Sequence, residues 1–366
     1  MQCKADGLKF TLAFVFLTAV QDIDPVVAML DEEGIGVFGA ITSEKFTEEG
    51  IQPDGIVVLL VDIPTAYFKL VLENFQSASA FESAGKVGEL GKNAFNHPAF
   101  IISSADIRVP GEEVIRGILH HAGPEATVIG GMAGEHIHFT GTVFTNGAKT
   151  DSGILSLIID EDKVAVKGSA VSGWKPVGTE KRITKSEGNW VFTIDHEPAM
   201  EVIRKFLGTD MLTSSKSDGL DSFPMKFGLD SFPLQFQRGA AKPVMNPIVL
   251  WNEENQSVML GSPVREGSVF RFSLPPDLEV IDTVIDSTKA IRENELPDID
   301  AMLVFSCVGR LSSLGPMVTS EIGGLAATWN KPMAGFFSLG EFGKVDNDTR
   351  PEFHGTTVSW VAFKEK

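Results

Sequence analysis

Three segments of this chain carry the same order of apolar and polar positions. In each, an apolar strand leads into a helix, a second apolar strand ends in a glycine-rich or polar turn, and a third apolar strand closes the unit. The units begin at Lys9, Ala99 and Ala301. Repetition of one supersecondary unit indicates duplicated modules. The pattern therefore predicts an α+β fold in which helices lie outside packed sheets.

The turns after the second strand of each unit are the first place to expect a ligand. They fall within residues 36–44, 129–135 and 335–341. Proteins built from strands and helices place their ligand sites where the backbone is irregular at strand ends. We expect the turns of the second and third units to meet the strand end at Cys307 around one pocket.

The apolar segment at the amino terminus has two interpretations. Lys4 and Lys9 precede the apolar or small residues 10–20, which is also the outline of a secretory signal peptide. Alignment with the other two units favours a first strand over residues 10–17. We therefore expect a cytoplasmic protein.

Composition excludes several classes of protein. A length of 366 residues favours two domains, and a mean hydropathy of +0.08 with no long apolar run predicts a soluble protein without a membrane span. The net charge of −18, without clustered Lys and Arg, argues against nucleic-acid binding. Two cysteines, Cys3 and Cys307, are too few for a disulfide framework or a multi-cysteine zinc site.

Five motifs stand out along the chain: residues 128–135, 173–178, 195–207, 305–310 and 334–341. Together they resemble the FIST family, named for F-box and intracellular signal transduction. The resemblance covers nearly the whole chain and implies two FIST domains with layered mixed sheets. We place the N-terminal FIST domain at residues 8–195 and the C-terminal FIST domain at residues 196–363.

The resemblance implies a sensory module that binds a small molecule, such as an amino acid or a related metabolite. FIST domains are often joined to signalling partners, but this sequence contains no kinase, methyl-accepting or F-box segment. We therefore expect a stand-alone version that acts on a separate signalling protein. The first unit departs from the family, because residues 39–45 lack the usual cysteine and second glycine of this turn.

The candidate ligand-binding residues lie in the turns and strand ends of the second and third units. Backbone amides exposed by the glycines, together with Arg310, could hold an anion, while Glu341 or His354 could hold the polar remainder of the ligand. The candidates are Gly130, Gly131, Ala133, Gly134, Cys307, Gly309, Arg310, Ser338, Gly340, Glu341 and His354.

Several of these side chains have a second interpretation. A guanidinium near Cys307 could create a thiolate nucleophile with His354 as its base, which would make the protein an enzyme, or Cys307 could be a buried apolar residue. Arg310 could clamp a ligand carboxylate or form a salt bridge to Glu321 or Glu341. A third alternative is a scaffold whose turns contact another protein.

No metal or cofactor is expected. His136 and His138 share one face of a predicted strand, but Glu135 points to the opposite face, so a three-ligand metal site is poorly supported. The sequence also lacks a nucleophile elbow, a phosphate loop and a zinc-protease motif.

Overall fold

The computed structural model describes residues 7–75, 78–135, 140–208, 231–238, 241–345 and 350–366. His136 and His138 lie outside these residues, so the expectation for the two histidines remains a prediction.

Helices flank the sheets, and two of them begin at well-formed caps. Ser79 and Glu82 form a capping box, in which each side chain bonds the backbone N–H of the other residue. Asp277 accepts a hydrogen bond from the backbone N–H of Glu279 at 3.0 Å. The helices are α1 (Ile23–Glu32), α2 (Ala80–Ala94), α3 (Gly111–Ala122), α4 (Ala199–Leu207), α5 (Leu278–Asn294), α6 (Val308–Leu314) and α7 (Val318–Trp329), with short 3-10 turns at Val20–Asp22, Thr65–Tyr67 and Gly315–Met317.

The strands of the described residues form four sheets. They are β1 (Leu12–Leu17), β2 (Gly36–Ile41), β3 (Lys45–Thr47), β4 (Gly50–Gln52), β5 (Ile56–Val61), β6 (Phe68–Asn74), β7 (Pro98–Ala105), β8 (Thr127–Met132), β9 (Val143–Thr145), β10 (Ala148–Thr150), β11 (Gly153–Asp160), β12 (Val164–Val171), β13 (Pro176–Glu187), β14 (Trp190–Ile194), β15 (Glu197–Pro198), β16 (Leu234–Arg238), β17 (Ala241–Asn246), β18 (Ile248–Asn252), β19 (Ser257–Leu260), β20 (Val269–Ser273), β21 (Ala301–Cys307), β22 (Met333–Ser338), β23 (Glu341–Gly343), β24 (Glu352–His354) and β25 (Val358–Glu365).

The three units share one topology. In the first unit β1 pairs in parallel with β2 and antiparallel with β5. In the second unit β7 pairs in parallel with β8 and antiparallel with β11. In the third unit β21 pairs in parallel with β22 and antiparallel with β25. This arrangement confirms the predicted α+β fold built from strand-helix-strand-turn-strand units.

The units exchange strands in a closed cycle. The strand that follows the turn of the first unit, β3, pairs with β22 of the third unit. The corresponding strand of the third unit, β23, pairs with β8 of the second, and β9 of the second pairs with β2 of the first. Three sheets therefore each contain strands from two units.

One face of each of these three sheets contributes to a common core. Phe14, Ile101 and Phe305 belong to one buried cluster, and the rings of Phe16 and Phe336 from different units lie 4.9 Å apart between centroids. The opposite faces pack against the helices: β1 against α1, β7 against α2 and α3, and β21 against α5 and α7. Because side chains alternate along a strand, sheets buried on both faces give the near-continuous apolar runs seen in the sequence.

The fourth sheet takes no part in this exchange of strands between the three units. Its strand order is β17-β16-β20-β13-β14-β19-β18, with β15 paired to β14, and α4 packs on its own apolar core. Within the described residues, none of the helices combines the length and the apolar character needed to cross a bilayer.

Candidate functional site

A cavity of about 90 Å³ lies where the third unit meets the fourth sheet. One side is built by Cys307 at the end of β21, by Gly309 in the first turn of α6, and by His354 at the end of β24. The lining residues are Ile107, Val109, Met132, Pro247, Ile248, Val249, Trp251, Gly261, Ser262, Cys307, Val308, Gly309, Leu339, Phe353, His354, Gly355 and Thr356.

Three of the residues predicted from the sequence line this cavity: Cys307, Gly309 and His354. The glycine-rich turn of the second unit contributes Met132 instead of its glycines. The other predicted residues lie outside the lining: Gly130, Gly131, Ala133, Gly134, Arg310, Ser338, Gly340 and Glu341.

The glycines of the turns serve close packing. A Cβ atom at Gly130 would lie 1.8 Å from the carbonyl oxygen of Ile102, and one at Gly340 would lie 2.2 Å from the ring of Phe353. Glycine is needed wherever another group approaches the backbone this closely. Gly340 therefore packs behind Phe353 in the cavity wall, and the ligand contact predicted for these glycines stays a prediction.

Glu341 is the centre of a buried polar network behind Cys307. Its Oε2 accepts hydrogen bonds from the hydroxyl and the backbone N–H of Thr357, at 2.8 and 3.3 Å. Its Oε1 lies 2.7 Å from the hydroxyl of Ser338, and the thiol of Cys307 also bonds the carboxyl group. The side chain is fully buried, so its polar atoms are satisfied by protein groups instead of water.

The carboxyl group of Glu341 is protonated near neutral pH. Desolvation raises the pKa of Glu341 to about 8, although hydrogen bonds from Ser338 and Thr357 oppose the shift. The geometry agrees, because the Ser338 hydroxyl also lies 3.2 Å from the carbonyl oxygen of Ser306. When the Ser338 hydroxyl donates to Ser306, a protonated Glu341 can donate to Ser338 in turn.

Cys307 is held as a neutral thiol. Burial, and then the nearby Glu341 carboxyl, raise the pKa of the Cys307 thiol well above its ordinary value. Arg310, which the sequence suggested would lower this pKa, is paired with Glu321 instead. Because its S–H bonds the Glu341 carboxyl, Cys307 offers the cavity an apolar sulfur atom.

His354 is a neutral imidazole in the wall of the cavity. Burial lowers the pKa of His354 to about 4, and its Nε2 lies 3.2 Å from the carbonyl oxygen of Gly343. Because a carbonyl only accepts, Nε2 carries the proton and Nδ1 keeps its lone pair. Nδ1 is buried and has no hydrogen-bond partner among the described residues.

Arg310 forms a buried salt bridge with Glu321, which is one of the two alternatives that the sequence left open. Its Nε donates to Glu321 at 3.0 Å, and Nη2 bonds the second carboxylate oxygen. Nη1 donates to the carbonyl oxygens of Ser172 and Thr356, at 2.6 and 3.1 Å, and the guanidinium lies 4.9 Å from the ring centroid of Trp174. With these partners, Arg310 supports the turn that follows His354 instead of facing the cavity.

The side of the cavity that the fourth sheet provides was not predicted from the sequence. Pro247, Ile248, Val249, Trp251 and Ser262 lie on strands or turns of that sheet. They carry no motif, and only the packing of the sheet against the third unit brings them to the site. Thr357, which holds Glu341, could have been suspected because it follows His354 in the same turn.

Three repeated units around a shared core, with a cavity at one strand end, define an α+β repeat protein. The family model of the FIST N domain matches residues 11–197, and that of the FIST C domain matches residues 199–344. The chain belongs to the FIST family, as the sequence motifs predicted. None of the curated proteins matches the chain.

FIST domains are sensory domains of signal transduction, which gives this chain a general sensory role. The two matches meet close to the predicted boundary between residues 195 and 196. Pairing of β3 with β22, of β8 with β23 and of β12 with β25 nevertheless joins strands from both sides of that boundary. The division into two domains stays a prediction.

Proposed function

We propose that this chain is a FIST sensory protein whose signal is a small molecule bound in the cavity beside Cys307 and His354. The observation that carries the proposal is a partly open cavity of about 90 Å³ next to a buried imidazole. A water molecule needs roughly 10–15 Å³ of such space, so the cavity has room for a compact organic molecule.

The lining favours an uncharged ligand. Among the described residues that form it there is no Lys, Arg, Asp or Glu. Burying a charge without a partner is costly, whereas a neutral N–H or O–H group could donate to Nδ1 of His354. An uncharged relative of an amino acid, such as an amide or a lactam, therefore fits better than the zwitterion that the family resemblance suggested.

A ligand here would contact both the third unit and the fourth sheet, so it would favour arrangements in which the two lie close together. Such a differential contact is what a sensor needs in order to change its state. A signalling protein that recognises the change, and a cytoplasmic location, remain part of this proposal. The cysteine-enzyme alternative is less favoured, because burial and Glu341 oppose formation of a Cys307 thiolate.

Thermal unfolding of the full chain in the presence of free amino acids, their amides and small lactams tests the proposal. A ligand at 100 times its Kd adds about 2.7 kcal/mol of stability, which raises the melting temperature measurably. We expect the uncharged compounds to give the larger shifts.

Two variants on β18 locate the binding. Val249 and Leu250 are both half-buried, but only Val249 lines the cavity. Val249→Phe should fill the space and abolish the ligand shift, while Leu250→Phe should retain it. The proposal fails if no compound shifts the melting temperature of the folded wild type, which would favour the scaffold alternative, or if Val249→Phe responds like wild type.

A further inference from the structure

A second groove, outside the cavity, is lined by three arginines in a chain with a net charge of −18. It lies between α3 and the segment that leads into β24, and its volume is about 470 Å³. The lining residues are Phe81, Glu112, Ile115, Arg116, Leu119, His120, Pro124, Arg238, Val244, Arg350, Pro351, Glu352 and Phe353. The chain has 31 Lys and Arg against 49 Asp and Glu, so three arginines beside two glutamates around one groove stand out from the acidic background.

The charges of this groove are only partly balanced. Arg238 Nε bonds Glu352 at 3.1 Å, and Arg116 pairs with Glu113 one helical turn away. Both ion pairs are exposed, so they are weak and an incoming anion can compete for the guanidinium groups. The remaining carboxyl in the lining is Glu112, whose pKa is raised by burial.

Apolar surface lies beside the arginines. The ring of Phe81 has the guanidinium of Arg116 5.6 Å from its centroid and the ring of His120 at 5.5 Å. Leu119 and Val244 also belong to the lining. A ligand in this groove would therefore meet an aromatic and aliphatic wall and a cluster of planar, bidentate donors.

We propose that this groove binds an organic anion, with its apolar body against Phe81, Leu119 and Val244 and its carboxylate or phosphate group on Arg238 and the neighbouring arginines. Arginine forks match both head groups, because each presents two oxygens in a plane. The groove is separate from the cavity beside Cys307 and needs no ligand there, although Phe353 forms part of both walls.

Calorimetric titration of the full chain tests the proposal with four probes. Phenyl phosphate and benzoate carry a ring and an anionic group, phenol carries only the ring, and inorganic phosphate only the charge. We expect one of the ring-bearing anions to bind at least tenfold more tightly than phenol and inorganic phosphate, and the tighter of the two identifies the head group. Binding should weaken as salt is raised.

Two arginine variants provide the matched comparison. Arg238→Gln should weaken binding of the better probe about tenfold, whereas Arg292→Gln, at an exposed position of α5 outside the groove, should not change it. Circular dichroism melts check that both variants fold.

The cavity variant Val249→Phe should bind the probe like wild type, which separates this proposal from the one for the cavity. Equal binding of phenol and the anions, or equal effects of the two arginine variants, would overturn the proposal.

Discussion

At the scale of single residues, Glu341 gives the fold a dependence on pH. The pKa of Glu341 is about 8 in the fold, against an ordinary value of 4.5. Between these values the folded protein binds a proton that the unfolded chain has released, so its stability falls as the pH rises. The contribution is constant below about pH 4.5 and constant again above about pH 8.

Glu341→Gln should remove this contribution. The amide can donate to Ser338 and accept from Thr357, as the protonated carboxyl does. Denaturant unfolding at intervals from pH 5 to 8 should show wild type losing up to about 1.4 kcal/mol per pH unit relative to the variant. Glu254→Gln, at an exposed turn position, is the control and should follow wild type. Parallel curves for wild type and Glu341→Gln would contradict the assignment.

Cys307 should resist alkylation for the same physical reason. Its raised pKa leaves almost no thiolate at neutral pH, and burial limits access of the reagent. In a Cys3→Ser background, iodoacetamide at pH 7.5 should label the folded protein at least tenfold more slowly than the same chain in denaturant, as measured by mass spectrometry. Fast labelling of the folded protein would instead support a reactive cysteine and the enzyme alternative.

At the scale of the elements, glycines let strands from different units meet. Gly335 on β22 faces β3, and a Cβ atom there would lie 2.3 Å from both the ring of Phe46 and the carbonyl oxygen of Val304. A Cβ atom at Gly39 on β2 would likewise lie 2.1 Å from the ring of Phe144 on the paired strand β9. In both strand pairs, a glycine on the second strand of one unit leaves room for an aromatic side chain of another unit.

Gly335→Ala should destabilise the fold by roughly 2–4 kcal/mol, because the methyl group overpacks a buried strand pair. Gly323→Ala is the control: it lies inside α7 with no atom within 4 Å of the new methyl group, and should stabilise by about 0.5–1 kcal/mol. Denaturant midpoints of the two variants measure the difference. Similar midpoints for the two variants would contradict the prediction, because β22 and β3 would then move apart for the methyl group without loss of stability.

The sequence predicted the elements better than the contacts between them. Apolar runs and glycine turns identify the first, second and third strands of every unit, because strands buried on both faces have a strong local signal. By its place at the end of the first turn, Glu44 would be expected to correspond to Glu341, but the strand pairing differs. The strand pairing aligns Lys45 of the first unit with Glu341 of the third. Each comes directly before a phenylalanine, Phe46 or Phe342, that pairs with a glycine on the second strand of another unit. Lys45 is buried and its Nζ bonds Thr18 at 2.7 Å, so the first unit replaces the carboxyl network with an ammonium group.

At the scale of the whole molecule, the cavity is a property of the assembly. The strand ends and turns of the sequence identify Cys307, Gly309 and His354. The opposite wall comes from residues 247–262, where the sequence predicts strands but nothing that indicates a ligand. Arg310 shows the same limit, because its partner Glu321 is eleven positions away on the next helix and could not be chosen over Glu341 from sequence. Long-range packing decides such contacts, whereas local patterns decide the elements.

The cyclic exchange of strands predicts that the chain folds as a single cooperative unit. A fragment of residues 1–198 would keep β3, β8 and β12 but lose their partners β22, β23 and β25. It would expose strand edges and the part of the common core that Phe305 and Phe336 cover, so it should lack a cooperative thermal transition and should aggregate.

The full chain should unfold in one transition, with the same midpoint by circular dichroism and tryptophan fluorescence. Mixing this fragment with residues 199–366 during refolding should restore the transition if the exchanged strands find their partners. A fragment of residues 1–198 that melts cooperatively on its own would show that the N-terminal FIST domain is an independent folding unit.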